Sequence, residues 1–583
     1  MSDRRPNKRS EAAIAAAKHW NNKKRQREID IDEQESKKYT EEPLVEIVES
    51  PKEVIIVSSE DEAIDDKDKK KPRQDIELKR SQIRLLSDPS YSLHGIKTDL
   101  DVNKDTLLLS DLVGSKDLKE TYQFNFSVDL EFFLMHLHPN MSRQRRKITF
   151  ITGSRLLNPD ELIQDIALIK SKFNINELTA DLPTRFGTHH TKMMINFYED
   201  DTSEIIIMTC NLQKIDFGGL TQMCWKSGRL HRSNGNISPE RGARFQKDLK
   251  NYLFRYKKNP LRELGKSLDE YDFLPVNIEL VASAPGFFNM AESTNDSEIY
   301  GYGKLYQVLR RNNLLIDNSK GENKYNILAQ VSSISYPFAT EKLNTASIFS
   351  HLLCPLIFSG MSKASFNLLK PGAALFKSHQ NTHNYRPHIL YPSVDDVANS
   401  NVGFASGQAL HFKFTTTPTH RNQYEQNIKP YLYRWQSGSH ADETGRENVV
   451  PHVKLYMCDN GDDWCTLRWV LMGSHNLSKQ AWGAKNETKF TNSDPLVYKV
   501  SSYELGVLVP GNMDPNDDGI TLKPIYGRDT FPAPQHNNDT PLRIPFKLPP
   551  VKYKPSERPW SALINYGNNL KDRFGQCYYG LDA

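Results

Sequence analysis

From about Ser81 onward, short apolar runs rich in β-branched residues alternate with longer stretches whose apolar residues recur at helical spacing. Strands are predicted at Lys147 to Ile151, Ile205 to Met208, Ile278 to Val281, Ile327 to Val331, Leu467 to Met472 and Glu504 to Val509. Pro159 to Phe173 and Thr345 to Leu353 read as helices with an apolar face, the second stopping before Pro355. The alternation predicts an α/β fold of mixed sheets flanked by helices. Residues 1–78 lack it. They carry charged blocks such as Lys23-Lys24-Arg25-Gln26-Arg27 and too little apolar surface to offset the entropy of ordering, which predicts a disordered tail. A helix at Ser10 to Trp20, capped by Ser10, would be marginal alone.

One stretch of this pattern occurs twice. Thr188-His189-His190-Thr191-Lys192-Met193 precedes the apolar run Ile205 to Met208, and Asn211-Leu212 follows it. Pro451-His452-Val453-Lys454-Leu455 precedes Trp469 to Met472, and Asn476-Leu477 follows. His190 to Asn211 spans 21 positions and His452 to Asn476 spans 24. A lone His-x-Lys carries almost no information, but two copies with the strand and Asn-Leu at matching offsets are hard to obtain by chance. Residues i and i+2 of an extended segment share a face, so each His projects beside its Lys. Two halves packed about a pseudo-dyad would gather two His, two Lys and two Asn in one pocket. That set suits phosphoryl transfer. One imidazole can attack phosphorus and form a covalent intermediate, while the other donates a proton to the leaving oxygen and then activates water. The ammoniums and amides can hold the equatorial oxygens. No Asp/Glu cluster with metal-ligand spacing accompanies them, so neither metal nor cofactor is expected.

Composition narrows the compartment more than the chemistry. Lys+Arg 76 against Asp+Glu 72 gives a net charge of +4, which neither requires nor excludes nucleic acid. The start of the chain has no apolar leader core, and the run Ile348 to Phe358 is interrupted and too short to span a bilayer. The six cysteines form no C-x-x-C pair, which fits free thiols in a reducing compartment. A soluble intracellular monomer with no membrane partner is expected.

The paired motif resembles the phospholipase D superfamily, whose members carry His-x-Lys-x4-Asp twice. Here Phe197 stands at the first Asp position and Asp459 at the second. The strings from Phe186 to Met194, from Asn476 to Ala484 and from Ser502 to Leu508, with Glu557-Arg558-Pro559-Trp560, resemble the tyrosyl–DNA phosphodiesterase family over roughly residues 80 to 560. The resemblance implies two pseudo-symmetric phospholipase D-like domains, 79–325 and 326–583, with the active site at their interface. It implies that His190 is the nucleophile, that Glu504 orients it, and that Gln222 contacts His452. An anionic Glu504 would make His190 more basic than neutral Gln222 makes His452, and Asp459 is taken as coincidental. It further implies that Ser332, Ser333 and Ser478 join Lys192 and Lys454 in binding substrate. The substrate implied is DNA, single-stranded or nicked, carrying a 3′-linked topoisomerase I peptide or another 3′ adduct.

Other residues remain between functional and structural readings. Alternation turns His189 away from Lys192, which suggests a structural histidine. Tyr431 to Trp435 fit either a groove wall or a packed surface helix, and His420, His440 and His475 have no metal-like partners. In the tail, Val54 to Val57 followed by acidic residues resembles a SUMO-interacting motif, which implies SUMO or SUMO-modified partners. The basic blocks fit nuclear import. Two rival readings stay open: another phospholipase D superfamily nuclease or lipid phosphodiesterase, and a non-catalytic DNA-binding repair scaffold.

Overall fold

The computed structural model describes residues 81–580 apart from 88–105, 155, 157–168, 170, 185–186, 236–239, 318–322, 336–353, 355–356, 360–372, 416, 436–443, 486–496, 512–519 and 527–537. The tail with Ser10 to Trp20 and Val54 to Val57 lies outside these residues, as do the Thr345 to Leu353 helix and most of Pro159 to Phe173.

Two sheets carry the fold. The first contains β1 (Ile83–Leu86), β2 (Leu118–Phe124), β3 (Lys147–Thr152), β4 (Asn174–Thr179), β5 (Met193–Tyr198), β6 (Ser203–Met208) and β7 (Gln222–Lys226), in the order β1-β7-β6-β5-β2-β3-β4. The second contains β8 (Glu279–Ser283), β9 (Tyr325–Gln330), β10 (Tyr385–Leu390), β11 (Leu432–Tyr433), β12 (Leu455–Asp459), β13 (Leu467–Gly473) and β14 (Glu504–Pro510). Its order is β8-β14-β13-β12-β9-β10-β11, extended by Thr521–Ile525 beside β13 and Asp539–Arg543 beyond it. The two orders are the same, and so are the directions. β2-β3-β4 run parallel, as do β9-β10-β11, and every other neighbouring pair on either path is antiparallel.

The duplication read from the motifs is therefore a duplication of seven-stranded sheets. All six predicted strands are present, as β3, β6, β8, β9, β13 and β14, with ends shifted by one or two residues. The second run begins at Glu279 with β8, well ahead of the boundary expected at 325/326. A five-residue apolar strand bears no local mark of the sheet it will join.

Period-two alternation explains the layering. In the first sheet Met193, Ile195, Ile205 and Ile207 face a middle core, while Met194, Ile206 and Met208 face an outer one with α1 (Leu109–Val113) and α2 (Leu130–Met135). In the second, Leu455, Met457, Val470 and Met472 face the same middle core, while Tyr456, Trp469 and Leu471 face a third. Both sheets are buried on both faces, which explains their nearly continuous apolar runs. The long helix α3 (Glu240–Arg255) inserts Phe245, Leu249, Tyr252 and Leu253 into the middle core, and α4 (Asn259–Ser267) adds Leu261 and Leu264. Each such side chain stabilises the fold by about 1.5–3 kcal/mol through burial. The two sheets thus share one core, which fixes one half against the other. Among the described residues no helix is long and apolar enough to cross a membrane, and no two cysteines are bonded to each other.

Candidate active site

The histidine segments enter their strands from the same place in each half and are tied crosswise. His190 N–H donates to Tyr503 O (2.9 Å), and Tyr503 N–H donates to Thr188 O (2.9 Å). In the other half His452 N–H donates to Thr221 O (3.0 Å), and Thr221 N–H donates to Val450 O (2.9 Å). The residue after each crosspiece opens a strand of the opposite half: Glu504 begins β14 and Gln222 begins β7. Each half thereby hands a polar side chain to the other half's histidine.

Glu504 Oε2 lies 2.8 Å from His190 Nδ1 and accepts Ser474 O–H at 2.5 Å. Gln222 Nε2 lies 3.0 Å from His452 Nδ1, the neighbour that the resemblance implies, and Asp216 Oδ1 lies 3.0 Å from the same nitrogen. Gln222 Nε2–H also donates to Asp216 (2.9 Å), and Asn211 reaches that oxygen with its backbone N–H (2.9 Å) and its amide (3.4 Å). An anionic acceptor takes the Nδ1 proton in preference to an amide N–H, which can only donate. His452 therefore has a carboxylate partner after all, and Gln222 braces that carboxylate. The expected contrast between a charged and a neutral partner does not hold.

Lys192 Nζ folds back to His190 O at 2.9 Å, and Lys454 Nζ bonds His452 O in the same way. Both lysines are fully buried. Burial brings Lys192 down to about 8 and holds Lys454 well below its ordinary range, with Lys192 adding repulsion to Lys454. Burial and the ammonium of Lys454 bring His452 down to about 3. His190 is lowered chiefly by burial and also by both lysines, against the pull of Glu504. Burial pushes Glu504 and Asp216 upward, but their hydrogen-bond partners outweigh it and keep both ionised. At neutral pH each histidine is a neutral ring whose Nδ1–H is bound by a carboxylate, leaving an Nε2 lone pair. That tautomer suits a nucleophile or a base.

The remaining candidates sort by their contacts. Asn476 Oδ1 accepts the N–H groups of Ser332 (3.2 Å) and Ser333 (3.0 Å) and the Ser332 hydroxyl (3.2 Å). Ser332 is buried, with its hydroxyl on the Asn476 amide oxygen, and Ser333 is half-buried. Ser478 caps the helix Lys479–Trp482, accepting Ala481 N–H at 3.1 Å. Asn211 Oδ1 has no hydrogen-bond partner among the described residues. His189 is structural in its contacts, held between Asn125 O (3.1 Å) and Tyr256 Oη (3.0 Å). Asp459 is spent on the turn after β12, accepting from Asn326, Gly461 and Trp464. Trp435 belongs to the middle core and donates to Arg446 O, while Tyr431 is half-buried and Tyr433, also half-buried, lies in β11. His475 is buried against Trp482 beside Ser283, and His440 lies outside the described residues. Among the described residues no three His, Cys, Asp or Glu groups are placed to hold a metal.

Four residues of this neighbourhood have no place in the sequence reading: Asp216, Thr209, Ser474 and Phe126. Phe126 is 49% exposed and stands edge-on to the His190 ring (5.4 Å between centroids), with Lys192 Nζ 5.6 Å from its centre. Thr209 and Ser474 precede Asn211 and Asn476 by two positions, a repeated cue within the duplication.

The family model described as tyrosyl-DNA phosphodiesterase matches residues 90–554. The chain belongs to the tyrosyl-DNA phosphodiesterase family. Its relatives include a probable tyrosyl-DNA phosphodiesterase of Schizosaccharomyces pombe, 27% identical over 79% of this chain and 90% of that protein. Tyrosyl-DNA phosphodiesterase 1 of Saccharomyces cerevisiae is 25% identical over 80% of this chain and 82% of its own length. A crystal structure of the yeast tyrosyl-DNA phosphodiesterase superposes with a TM-score of 0.61 at 22% identity, covering 82% of this chain and 98% of that one. The duplicated sheets are thus the fold of tyrosyl-DNA phosphodiesterases.

Proposed function

We propose that this member of the tyrosyl-DNA phosphodiesterase family hydrolyses the 3′-phosphotyrosyl bond between DNA and a topoisomerase I peptide, with His190 as nucleophile and His452 as acid and base. The observation that carries this reading is the crosswise pairing of each histidine with a carboxylate, beside two buried lysines and two asparagines. His190 Nε2 attacks phosphorus; the P–N bond forms as the bond to the tyrosine oxygen breaks. A phosphodiester anion between the lysines favours their charged forms and allows His452, backed by Asp216, to carry a second proton. That proton passes to the phenolic oxygen. Neutral His452 then removes a proton from water, hydroxide attacks phosphorus, and the P–N bond breaks to leave a 3′-phosphate and free His190. Lys192, Lys454, Asn211 and Asn476 hold the equatorial oxygens. Ser333 and Ser478 bind the DNA phosphates further along the strand.

A single-turnover reaction on a 5′-labelled 3′-phosphotyrosyl oligonucleotide tests the roles. His190→Ala gives neither product nor covalent adduct, whereas His452 variants accumulate a slowly migrating, protease-sensitive adduct, because water attack needs a base more than a phenol of pKa about 10 needs an acid. Adduct accumulation by His190 variants and not by His452 variants reverses the assignment. Parallel reactions with phosphatidylcholine and plain DNA separate this activity from that of a lipid phosphodiesterase or general nuclease, and tyrosine release separates it from a scaffold. The same reading makes the protein a nuclear monomer whose tail reaches SUMO or SUMO-modified partners through Val54 to Val57. A titration with SUMO that shows no binding removes that part.

A further inference from the structure

We infer that Thr209 and Ser474 are a matched pair of positioning residues, each fixing the hydrogen-bond polarity of the side chain that serves one histidine. This rests on the division of labour proposed for His190 and His452.

The two hydroxyls occupy equivalent places, at the ends of β6 and β13, and make equivalent bonds. Thr209 N–H donates to Met223 O and Ser474 N–H to Leu505 O, both at 3.0 Å. Each hydroxyl oxygen accepts a backbone N–H in return, from Met223 (3.0 Å) and Leu505 (3.0 Å). With an acceptor site so occupied, the single hydroxyl proton points at the residue beside the histidine. Thr209 donates to Gln222 Oε1 at 2.7 Å, nearer than its alternative acceptor Met223 O at 3.3 Å, and Ser474 donates to Glu504 Oε2. Both hydroxyl residues are fully buried, so no solvent competes for these bonds.

The consequences differ between the halves. A flipped Gln222 amide would set its N–H groups against the Thr209 proton and its oxygen against Asp216. Thr209 therefore keeps the Gln222 N–H groups on Asp216, and Asp216 on His452 Nδ1. Ser474 holds the very oxygen of Glu504 that accepts the His190 proton. Close strand approach makes this second contact: a Cβ on Gly473 would lie 2.7 Å from Gly506 Cα, directly beside the Ser474–Glu504 pair.

The experiment uses the full-length protein, a 5′-labelled 3′-phosphotyrosyl oligonucleotide and a pH series, with adduct formation and adduct decay measured separately. Ser474→Ala is expected to slow formation about ten- to a hundredfold while sparing decay. It also moves the acidic limb of the formation profile to higher pH, because Glu504 without its donor holds a proton more tightly. Thr209→Val is expected to slow decay by a similar factor, so that adduct accumulates. Ser474→Thr and Thr209→Ser, which keep the hydroxyl, restore both rates. Should a hydroxyl-free variant fail to fold, Ser474→Cys or Thr209→Cys replaces it, since a thiol fills the space but donates weakly. If the variants only lower the melting temperature and leave both rates and the pH limb unchanged, the hydroxyls are structural and the inference falls. If each variant slows one step but the steps are exchanged, the positioning role stands and the assignment of the nucleophile falls instead.

Discussion

Replacing Glu504 by glutamine removes a charge from the His190 pair while leaving its shape. Both bonds to this side chain, from His190 Nδ1 at 2.8 Å and from Ser474, end on the same oxygen. Ser474 donates to that position, which favours the amide oxygen of Glu504→Gln facing His190 and so preserves the tautomer. What is lost is attraction to the positive charge that the ring gains as its Nε2 bonds phosphorus. Unit charges about 4 Å apart attract by about 4 kcal/mol at an effective dielectric of about 20, and a half-developed charge halves this to about 2 kcal/mol. Adduct formation should therefore slow about thirtyfold. Decay should not slow, because the cationic phosphohistidine is the species destabilised, and the adduct should peak lower than in the parent protein. Quenched-flow sampling of a labelled 3′-phosphotyrosyl oligonucleotide, resolved on denaturing gels, gives both constants. A loss on the order of 10⁴-fold would mean that the amide flips and forces the wrong tautomer. An accumulating adduct would refute the charge reasoning altogether.

Three further outcomes follow from the same site and its surroundings. Activity should persist in excess EDTA, because in the proposed mechanism lysines and asparagines supply the electrophilic stabilisation; a loss restored by magnesium contradicts this. Burial brings Lys192 down to about 8, so kcat/KM, which reports the free protein, should fall as pH rises through about 8 when the ammonium is lost, and Lys192→Arg should leave only the limb set by Lys454. Burial lowers His189 to about 3 and His388 to about 4, so both stay neutral in the fold but protonate near 6.5 when it opens. Stability from these groups is present above 6.5 and lost as pH falls toward 3–4, at about 1.4 kcal/mol per pH unit for each histidine at its steepest. Urea midpoints measured from pH 7 to 5 should decline, and His388→Gln should flatten the decline; an unchanged slope would show that His388 does not contribute.

The strands and the two His/Lys/Asn sets were legible because period-two alternation and an internal duplication are both written along the chain. The repeated strand order was not, since pairing joins residues such as Glu504 and Ser283 that are far apart in sequence. Duplication also hid what breaks it. Asp216 follows Asn211 by five positions, but Ala481 stands five positions after Asn476, so a search for matching residues passes over the acid. Thr209 and Ser474 do match, yet hydroxyl residues are too common near strand ends to attract notice without the bonds they make. The bond from the Ser332 hydroxyl to Asn476 is likewise one that the sequence does not display.

The crosswise exchange of Glu504 and Gln222 is the geometry of an isologous interface, in which residue i meets j and j meets i. In a symmetric homodimer both histidines would have identical surroundings, and any substitution that improved one as a nucleophile would be imposed on the other. A single chain carrying both copies escapes that constraint. Glu504 meets its histidine directly; its counterpart is an amide, and the carboxylate beside that histidine, Asp216, comes from a position with no acidic equivalent across the dyad. Covalent linkage of the halves is thus what permits two chemically distinct histidines within one symmetric frame.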